Sequence, residues 1–368
     1  MRKAVLQQGP YKSMTLLSRL VLLSGINTSQ ATESLRSDLA GISKSEFEGL
    51  ESLAGKNHVL VRAMKVVRDL AHECRDDTRQ KWAEQALERE KSRIENALPF
   101  LYAICNELKA DGEPVAVMKT LDHWPDFGSD LDLYTNAKPA EVISLMMRKF
   151  DSKLAPRSMG DRLACKWNFI VPGLPELVEI HVGRLGQTGE QFQIATTLLK
   201  RTQQVSINGF TFCVPSNADR LMISTLQRMY RHFFFRLCDI VDSASLHESG
   251  NMDYESLRSG AIDAGIWEGV ATYLVIVSDY LKQWRGVGLD LPVSVCSAAR
   301  FRGDQIYFAN DFLRVPILPH SAMLYNVQLA RLLQKRQLSS GARLGLLPWL
   351  ATAALIGQKV TGSDKGIW

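Results

Sequence analysis

The chain has 368 residues, of which 46% are hydrophobic, 23% charged and 8% aromatic. This is an ordinary globular composition. It excludes a predominantly disordered chain, because enough apolar surface can be buried to offset the entropy lost on ordering. The net charge is +5, from 44 basic and 39 acidic residues.

The basic excess lies at the two ends of the sequence. Residues 1–30 carry four basic side chains and no acidic one, and residues 326–368 carry six basic side chains and one acidic one. A nucleic-acid-binding protein usually concentrates Lys and Arg on its folded body. We therefore expect no stable binding to DNA.

Signals for secretion and for disulfide formation are weak. Six cysteines are scattered along the chain without a Cys-x-x-Cys pair, so neither a zinc site nor a disulfide framework is predicted. Residues 14–26 are apolar, but Arg19 interrupts them and no clear cleavage site follows. No apolar run reaches the roughly 18 residues that a membrane span requires. We predict a reduced, cytoplasmic protein.

The first part of the chain is predicted to be helical after a weakly ordered start. Residues 1–45 are basic and then rich in Ser, Thr and Gly, which predicts a weakly ordered basic arm. Residues 46–110 carry apolar side chains at a spacing near the helical period, which predicts an N-terminal helical region with a kink or break at Pro99.

The hydrophobic pattern changes after Asp111-Gly112, which is a turn signal. Residues 111–215 are predicted to form a small sheet domain, in which short apolar segments surround one helix. The predicted strands are Val115–Met118, Leu131–Tyr134, Leu163–Val171, Leu177–Val182 and a hairpin, 204–207 and 210–214, that turns at Asn208-Gly209; the predicted helix is Pro139–Phe150.

Residues 216–368 are predicted to be mainly helical. One helix is expected from Asp219 to Leu246, and a short β-rich insert near 290–320 is expected from Val293–Val295 and Gln305–Tyr307. The predicted fold class is therefore α+β, with a small mixed β-sheet flanked by N-terminal and C-terminal helical regions.

Three acidic residues point to a metal site. Asp130 and Asp132 are two residues apart on a predicted strand, so their carboxylates lie on one face. Like charges that close repel unless a cation neutralises them, and Mg²⁺ prefers oxygen ligands. Glu179 offers a third carboxylate on a later strand, on the face that also carries His181. The alternative is a pair of solvated acids on an edge strand.

These segments resemble the DNA polymerase beta-like nucleotidyltransferase superfamily, and most closely its uncharacterised bacterial nucleotidyltransferase family. In that family an apolar strand ends in Leu-Lys-Gly, an Asp-(Ile/Leu)-Asp-Leu motif follows, and an (Asp/Glu)-(Leu/Ile)-His strand supplies a third acid. The corresponding segments here are Met118-Lys119-Thr120, Ser129-Asp130-Leu131-Asp132-Leu133 and Glu179-Ile180-His181. The resemblance covers roughly residues 50–247.

The resemblance implies a Mg-dependent nucleotidyltransferase. Asp130, Asp132 and Glu179 are its implied catalytic and metal-binding acids, and Glu179 is expected to draw the acceptor proton. An NTP, with ATP as the first choice, would donate its nucleoside monophosphate to a hydroxyl on a small molecule, a protein side chain or an RNA end. His181 and Asp239 are implied to form hydrogen bonds with the residues of the site without contacting the metal or the nucleotide. The implied nucleotide-binding residues are Lys119, Thr120, Ser129, Arg228, His232 and Arg236.

Two observations keep other functions open. Thr120 stands where the family has a glycine, and it keeps a hydroxyl but not the backbone freedom of glycine. This favours a non-catalytic nucleotidyltransferase-like binding protein, whereas the retention of three acids favours catalysis. The apolar run 344–357 beside basic residues suggests a peripheral membrane or scaffold protein that acts through its basic termini. We prefer a buried helix as the interpretation of that run.

Overall fold

A computed structural model of the chain describes residues 10–23, 29–350 and 352–353. It contains helices and small sheets, which agrees with the predicted mixed class. Within these described ranges, no helix is both long and apolar enough to cross a lipid bilayer.

The chain starts with a group of packed helices. Their buried side chains, such as Leu17, Leu20 and Phe47, belong to one hydrophobic core. This group consists of α1 (Pro10–Leu22), α2 (Ser29–Ala40), α3 (Lys44–Lys56), α4 (Leu60–Glu73) and α5 (Asp77–Ala110).

The expected weakly ordered arm over residues 1–45 is wrong for the part of it that the structure describes. The apolar side chains of Met14, Leu17 and Val21 recur at helical spacing, so they form one buried stripe on α1. Residues 1–9 and 24–28 lie outside the described part of the chain. Of the kink or break predicted at Pro99, the break is wrong, because α5 continues through that residue.

A five-stranded sheet follows α5. Its order is β1-β2-β5-β4-β3, and β2 and β5 are parallel whereas the other neighbours are antiparallel. Leu98, Leu101 and Leu108 of α5 share a hydrophobic core with the apolar residues of the sheet. The strands are β1 (Val115–Val117), β2 (Leu131–Thr135), β3 (Lys153–Leu154), β4 (Lys166–Ile170) and β5 (Val178–Val182), with α6 (Pro139–Phe150) between β2 and β3.

The strand predicted over Leu163–Val171 begins later than expected. Residues Met159–Leu163 form a short helix, α7, because the Ser158 side chain caps its first turn together with Asp161. Cys165 then takes a positive φ of 53° and redirects the chain into β4.

A two-stranded hairpin lies beside the sheet. It consists of β6 (Thr202–Ile207) and β7 (Phe210–Pro215), preceded by α8 (Phe192–Leu198). The predicted turn at Asn208-Gly209 is confirmed, and both residues have a positive φ, as a tight hairpin turn requires.

The helix predicted from Asp219 to Leu246 is interrupted. Helix α9 (Asn217–Thr225) passes into a wide π-helical turn, Leu226–Arg231, and Phe233 then takes a positive φ of 55°. A short strand, β8 (Phe234–Phe235), follows and pairs with β10 (Phe312–Arg314), which also pairs with β9 (Tyr307–Ala309). Helix α10 (Leu237–Glu248) begins only after this strand.

The remaining chain is mainly helical. It contains α11 (Tyr254–Asp263), α12 (Trp267–Arg285), α13 (Val293–Ala298), α14 (Ala322–Gln334) and α15 (Leu338–Gly345). The strand predicted at Val293–Val295 is wrong, because these residues start α13 after Pro292. Val293 is 83% exposed whereas Val295 is buried, so the two valines do not share a face. Of the apolar run 344–357, Trp349 is 77% exposed, and most of its later residues lie outside the described part.

Candidate active site

The Thr120 side chain fixes the start of β2. Its hydroxyl donates to the carbonyl oxygen of Asp130 at 3.0 Å and accepts the N–H of Asp132 at 2.8 Å. Thr120 is fully buried. The hydroxyl that was expected to face a phosphate therefore has its partners in the main chain, on either side of Leu131.

The turn that carries Thr120 is formed without a glycine. Lys119 itself adopts the left-handed conformation, with a φ of 55°. Gly128 packs against this turn, since a Cβ atom at Gly128 would lie 3.2 Å from the Cα atom of Thr120. The absence of a side chain at Gly128 lets the loop fold back on Thr120 and deliver Ser129 and Asp130 to β2.

The two parallel strands bring carboxylates together. Asp132 on β2 is the register partner of Glu179 on β5. Asp130 lies just before β2, and all three acids line one cavity of about 200 Å³. Asp132 is buried, and Asp130 and Glu179 are half-buried.

His181 belongs to the same cluster. Its Nε2 atom lies 2.8 Å from Oε1 of Glu179 and 3.8 Å from Oδ1 of Asp132. Ligand atoms of Asp132, Glu179 and His181 all lie within 4.8 Å of one another, so this group could hold a metal ion. Asp130 lines the cavity but is not one of these three residues.

Two lysines neutralise Asp132 and Glu179. Lys119 forms an ion pair with Asp132, and its Nζ atom lies 3.5 Å from Oε1 of Glu179. The ammonium of Lys166 lies 2.9 Å from Oε2 of Glu179 and 2.7 Å from Oδ1 of Asp161. Lys166 and Asp161 were missed by sequence reasoning. Lys166 reaches Glu179 through the register of β4 on β5, which pairs Lys166 with His181. This register depends on the fold, and no local sequence motif encodes it.

The electrostatic surroundings of Asp130 and Glu179 differ. Burial, and then the charges of Asp132 and Glu179, raise the pKa of Asp130. Burial alone would also raise the pKa of Glu179, but Lys119, His181 and Lys166 outweigh it and hold that pKa well below its usual value. Glu179 therefore stays ionised, as a metal ligand must.

Basic side chains of the segment 226–236 line the same cavity as the acids. They are Arg228, Arg231, His232 and Arg236. Arg228, His232 and Arg236 were predicted to act together on one helix face. The structure does bring them to one cavity, but through the π-helical turn and the chain reversal at Phe233. Arg231 was missed, although it lies three residues after Arg228, a spacing that a regular helix also places on that face.

The four basic residues are not equivalent. Arg228 is buried, and its Nε atom lies 2.8 Å from Oδ2 of Asp239. The same carboxylate oxygen accepts a hydrogen bond from the main-chain N–H of Arg236 at 2.6 Å. Asp239 therefore links Arg228 to Arg236 and holds the segment in place. No ion pair is found for Arg231 or Arg236 among the described residues. Reduced solvation and then the charges of Arg231, Arg228 and Arg236 lower the pKa of His232 well below its usual value.

A buried chain of charges supports the cavity from the side of α4 and α10. His123 lines the cavity, and its Nδ1 atom lies 2.6 Å from Oδ2 of Asp242. Asp242 also accepts a hydrogen bond from Arg62 at 2.8 Å. Burial would lower the pKa of His123, but Cys238 and Asp242 outweigh it and raise that pKa well above its usual value. Sequence reasoning did not identify this group, whose members are far apart in the chain.

Comparisons with known proteins give little support for an assignment. No family model matches the sequence, and the curated proteins contain no match. Among solved structures, the chain is similar to the crystal structure of an antigenic nucleotidyltransferase-like protein from Paracoccidioides brasiliensis, with 15% sequence identity and a TM-score of 0.33. The match covers 51% of this chain and 93% of that one. This is a weak nucleotidyltransferase-like resemblance, too distant to assign a fold or a function.

Proposed function

We propose that the protein is a metal-dependent nucleotidyltransferase that uses an NTP, with ATP as the first candidate, and a hydroxyl acceptor. One observation carries this proposal. The acids of the sheet, Asp130, Asp132 and Glu179, line the same cavity as the basic segment 226–236. Acids that can hold a divalent cation and guanidinium groups that can bind phosphates are the two requirements of phosphoryl-group transfer.

The donor set fits a hard divalent cation such as Mg²⁺. Oδ1 of Asp132 is buried and has no hydrogen-bond donor other than the nearby ammonium of Lys119. Carboxylate oxygens of Asp130, Asp132 and Glu179 are the ligand type that Mg²⁺ prefers, so these residues would hold it. When bound, the cation would neutralise charge on the triphosphate and favour deprotonation of the acceptor hydroxyl.

The proposed reaction exchanges a phosphoanhydride bond of the NTP for a phosphate ester bond to the acceptor. The acceptor oxygen bonds to the α-phosphorus, and the bond from that phosphorus to the α,β-bridging oxygen breaks. Pyrophosphate leaves with the electron pair of that bond, and the hydroxyl proton passes to water or to a carboxylate of the cavity. Arg231 and Arg236 donate hydrogen bonds to phosphate oxygens, while Arg228 holds the segment in place through Asp239.

The test is transfer of label. The protein is incubated with MgCl₂ and each of four α-³²P-labelled NTPs, in the presence of total RNA and a small-molecule extract. We expect label in the protein, the RNA or a small molecule, together with released pyrophosphate. EDTA should abolish both, and Asp132→Asn should lower both by about a hundredfold or more. The proposal is overturned if the wild-type protein neither transfers label nor releases pyrophosphate with any of the four nucleotides.

One observation favours a second candidate, a nucleotide-binding protein without transferase activity. The Thr120 hydroxyl is held by the main chain, and Lys119 and Lys166 neutralise the acids. This candidate predicts saturable binding of a magnesium nucleotide, measured by equilibrium dialysis, without any release of pyrophosphate. The same labelled nucleotides therefore distinguish the two functions.

A further inference from the structure

Lys119 occupies the position of a cation between two carboxylates. Its ammonium contacts Asp132 and lies 3.5 Å from Glu179. Asp132 and Glu179, with His181, are also the residues whose ligand atoms cluster within 4.8 Å. A divalent cation and the Lys119 ammonium would thus compete for the same carboxylates, because both neutralise the same two charges.

Lys119 differs in this respect from Lys166. Lys166 contacts the other carboxylate oxygen of Glu179 and is also paired with Asp161. It is not among the described residues that line the cavity, whereas Lys119 is. Of these two ammonium groups, that of Lys119 is therefore the one that a cation arriving through the cavity would meet.

The Lys119 side chain also borders a second cavity into which it could move. It lines both the cavity of the acids and a smaller neighbouring one, and Gln227 and Arg231 line both as well. The backbone at Lys119 is held in a left-handed conformation, which non-glycine residues adopt only where the surroundings require it. With this backbone conformation, the Lys119 ammonium reaches Asp132 near the start of β2 and Glu179 near the start of β5.

We propose that Lys119 is an internal counterion of Asp132 and Glu179, that a divalent cation displaces it, and that the displaced ammonium then binds the phosphates of the incoming nucleotide. The inference rests on the proposed function for the second role, but not for the first. Such an exchange keeps the acids neutralised before the cation binds and couples binding of the cation to binding of the triphosphate.

The experiment measures cation binding to the nucleotide-free, full-length protein, with Mn²⁺ as the probe and the electron paramagnetic resonance signal of free Mn²⁺ as the readout. We expect Lys119→Met to bind Mn²⁺ at least about tenfold more tightly than the wild type does, because one positive charge next to the site is removed. Lys119→Arg keeps the charge and should bind like the wild type. Lys138→Met is the matched control, since Lys138 is exposed and pairs with Glu141 away from the cavity.

A second measurement tests the other half of the exchange. At saturating Mn²⁺, Lys119→Met should bind α,β-methylene ATP about tenfold more weakly than the wild type, which is the loss of one charged hydrogen bond. If Lys119→Met does not fold, Lys119→Gln keeps a donor to Asp132 without the charge and carries the same two expectations. Asp132→Asn added to Lys119→Met should remove the tight Mn²⁺ binding.

Several results would overturn the inference. One is equal Mn²⁺ affinity of the wild type and Lys119→Met, and another is no Mn²⁺ binding by either protein. Label transfer by the wild type with unchanged Mn²⁺ affinity in Lys119→Met would leave the proposed function intact and remove the counterion role. Tighter Mn²⁺ binding in Lys119→Met, without label transfer by the wild type, would support the counterion role and remove the proposed function.

Discussion

Asp132 and Glu179 are register partners on the parallel strands β2 and β5. Residues that lie opposite one another in neighbouring strands point to the same face, so this pairing joins two carboxylates that are far apart in the sequence. The neighbouring pair, Leu133 and Ile180, points the other way and is fully buried in the core. The same register therefore fixes both the acid pair and the packing beneath it.

The first prediction concerns the acid pair. Asp132→Asn removes a charge but keeps the shape of the side chain, so the fold should be retained. We expect label transfer to fall by about a hundredfold or more, because loss of even an outer partner of a metal ligand costs 10–100-fold. The measurement is the rate of label transfer, with circular dichroism to check the fold.

Asp111→Asn is a matched control for this substitution. Asp111 is exposed at the C-terminal end of α5 and is not among the residues that line the cavity. It should transfer label at the wild-type rate. Unchanged transfer in Asp132→Asn would contradict the assignment of Asp132 to the site.

The second prediction concerns Thr120. Thr120→Val keeps the shape of the side chain but removes the hydroxyl that joins Asp130 and Asp132. We expect the free energy of unfolding to fall by about 1–3 kcal/mol, because a buried carbonyl and a buried N–H lose their partner. Urea denaturation measures this loss, and label transfer should fall with it because the acids lose their alignment.

Thr120→Ser is the corresponding control, since it keeps the hydroxyl. It should be much less destabilised and should retain most of the transfer rate. If Thr120→Val weakens nucleotide binding without any loss of stability, the hydroxyl binds phosphate, as the sequence suggested, and does not brace β2.

Parts of this site could be predicted from local patterns. Alternation in residues 177–182 placed Glu179 and His181 on the face opposite to Val178 and Ile180, and the structure has a strand there. The hairpin at Asn208-Gly209 followed from its turn residues. These features depend on residues that are close together in the sequence, so they can be predicted from one sequence alone.

Other parts depend on contacts between distant segments. Arg228, His232 and Arg236 reach the cavity from an interrupted helix. The strand β8 that interrupts it forms by pairing with β10, almost eighty residues later in the chain. The ion pairs of Lys166 require the register of β4 on β5. No local periodicity encodes these pairings. The prediction therefore identified three basic residues of the cavity but placed them on a continuous helix, which the structure does not have.

The third prediction separates the roles of two arginines. Arg228→Ala leaves the buried Asp239 without its charged partner. We expect a loss of about 3–5 kcal/mol in the free energy of unfolding, which is typical when one member of a buried ion pair is removed. Arg236→Ala should instead leave stability largely unchanged and weaken nucleotide binding about tenfold, the loss of one charged hydrogen bond.

Chemical denaturation and equilibrium dialysis with α,β-methylene ATP measure the two effects on the same proteins. Arg236→Lys keeps a positive charge and should recover part of the affinity. Nucleotide affinity that is unchanged in both Arg236→Ala and Arg231→Ala would contradict the assignment of phosphate binding to this segment.

The fourth prediction concerns the pH dependence of stability at Asp126. Its carboxylate accepts the main-chain N–H of Val61 at 2.6 Å, at the start of α4. Burial raises its pKa to about 7, and Arg62 and the main-chain donors of α4 offset only part of this effect. An unfolded Asp has a pKa of about 3.9, so between about pH 4 and pH 7 the folded protein binds more protons at this group than the unfolded chain.

Stability must therefore fall as the pH rises through this range, because the buried carboxyl is stabilised in its protonated form. Asp126→Asn removes the titration but keeps an oxygen that can accept from Val61. We expect the wild type to lose stability relative to Asp126→Asn between pH 5 and pH 8, by about 1.4 kcal/mol for each pH unit between pH 5 and the raised pKa of about 7. Urea denaturation of both proteins at the two pH values measures the difference. A difference that is the same at pH 5 and pH 8 would show that Asp126 is already ionised in the folded protein at pH 5, held so by Arg62 and the N-terminus of α4.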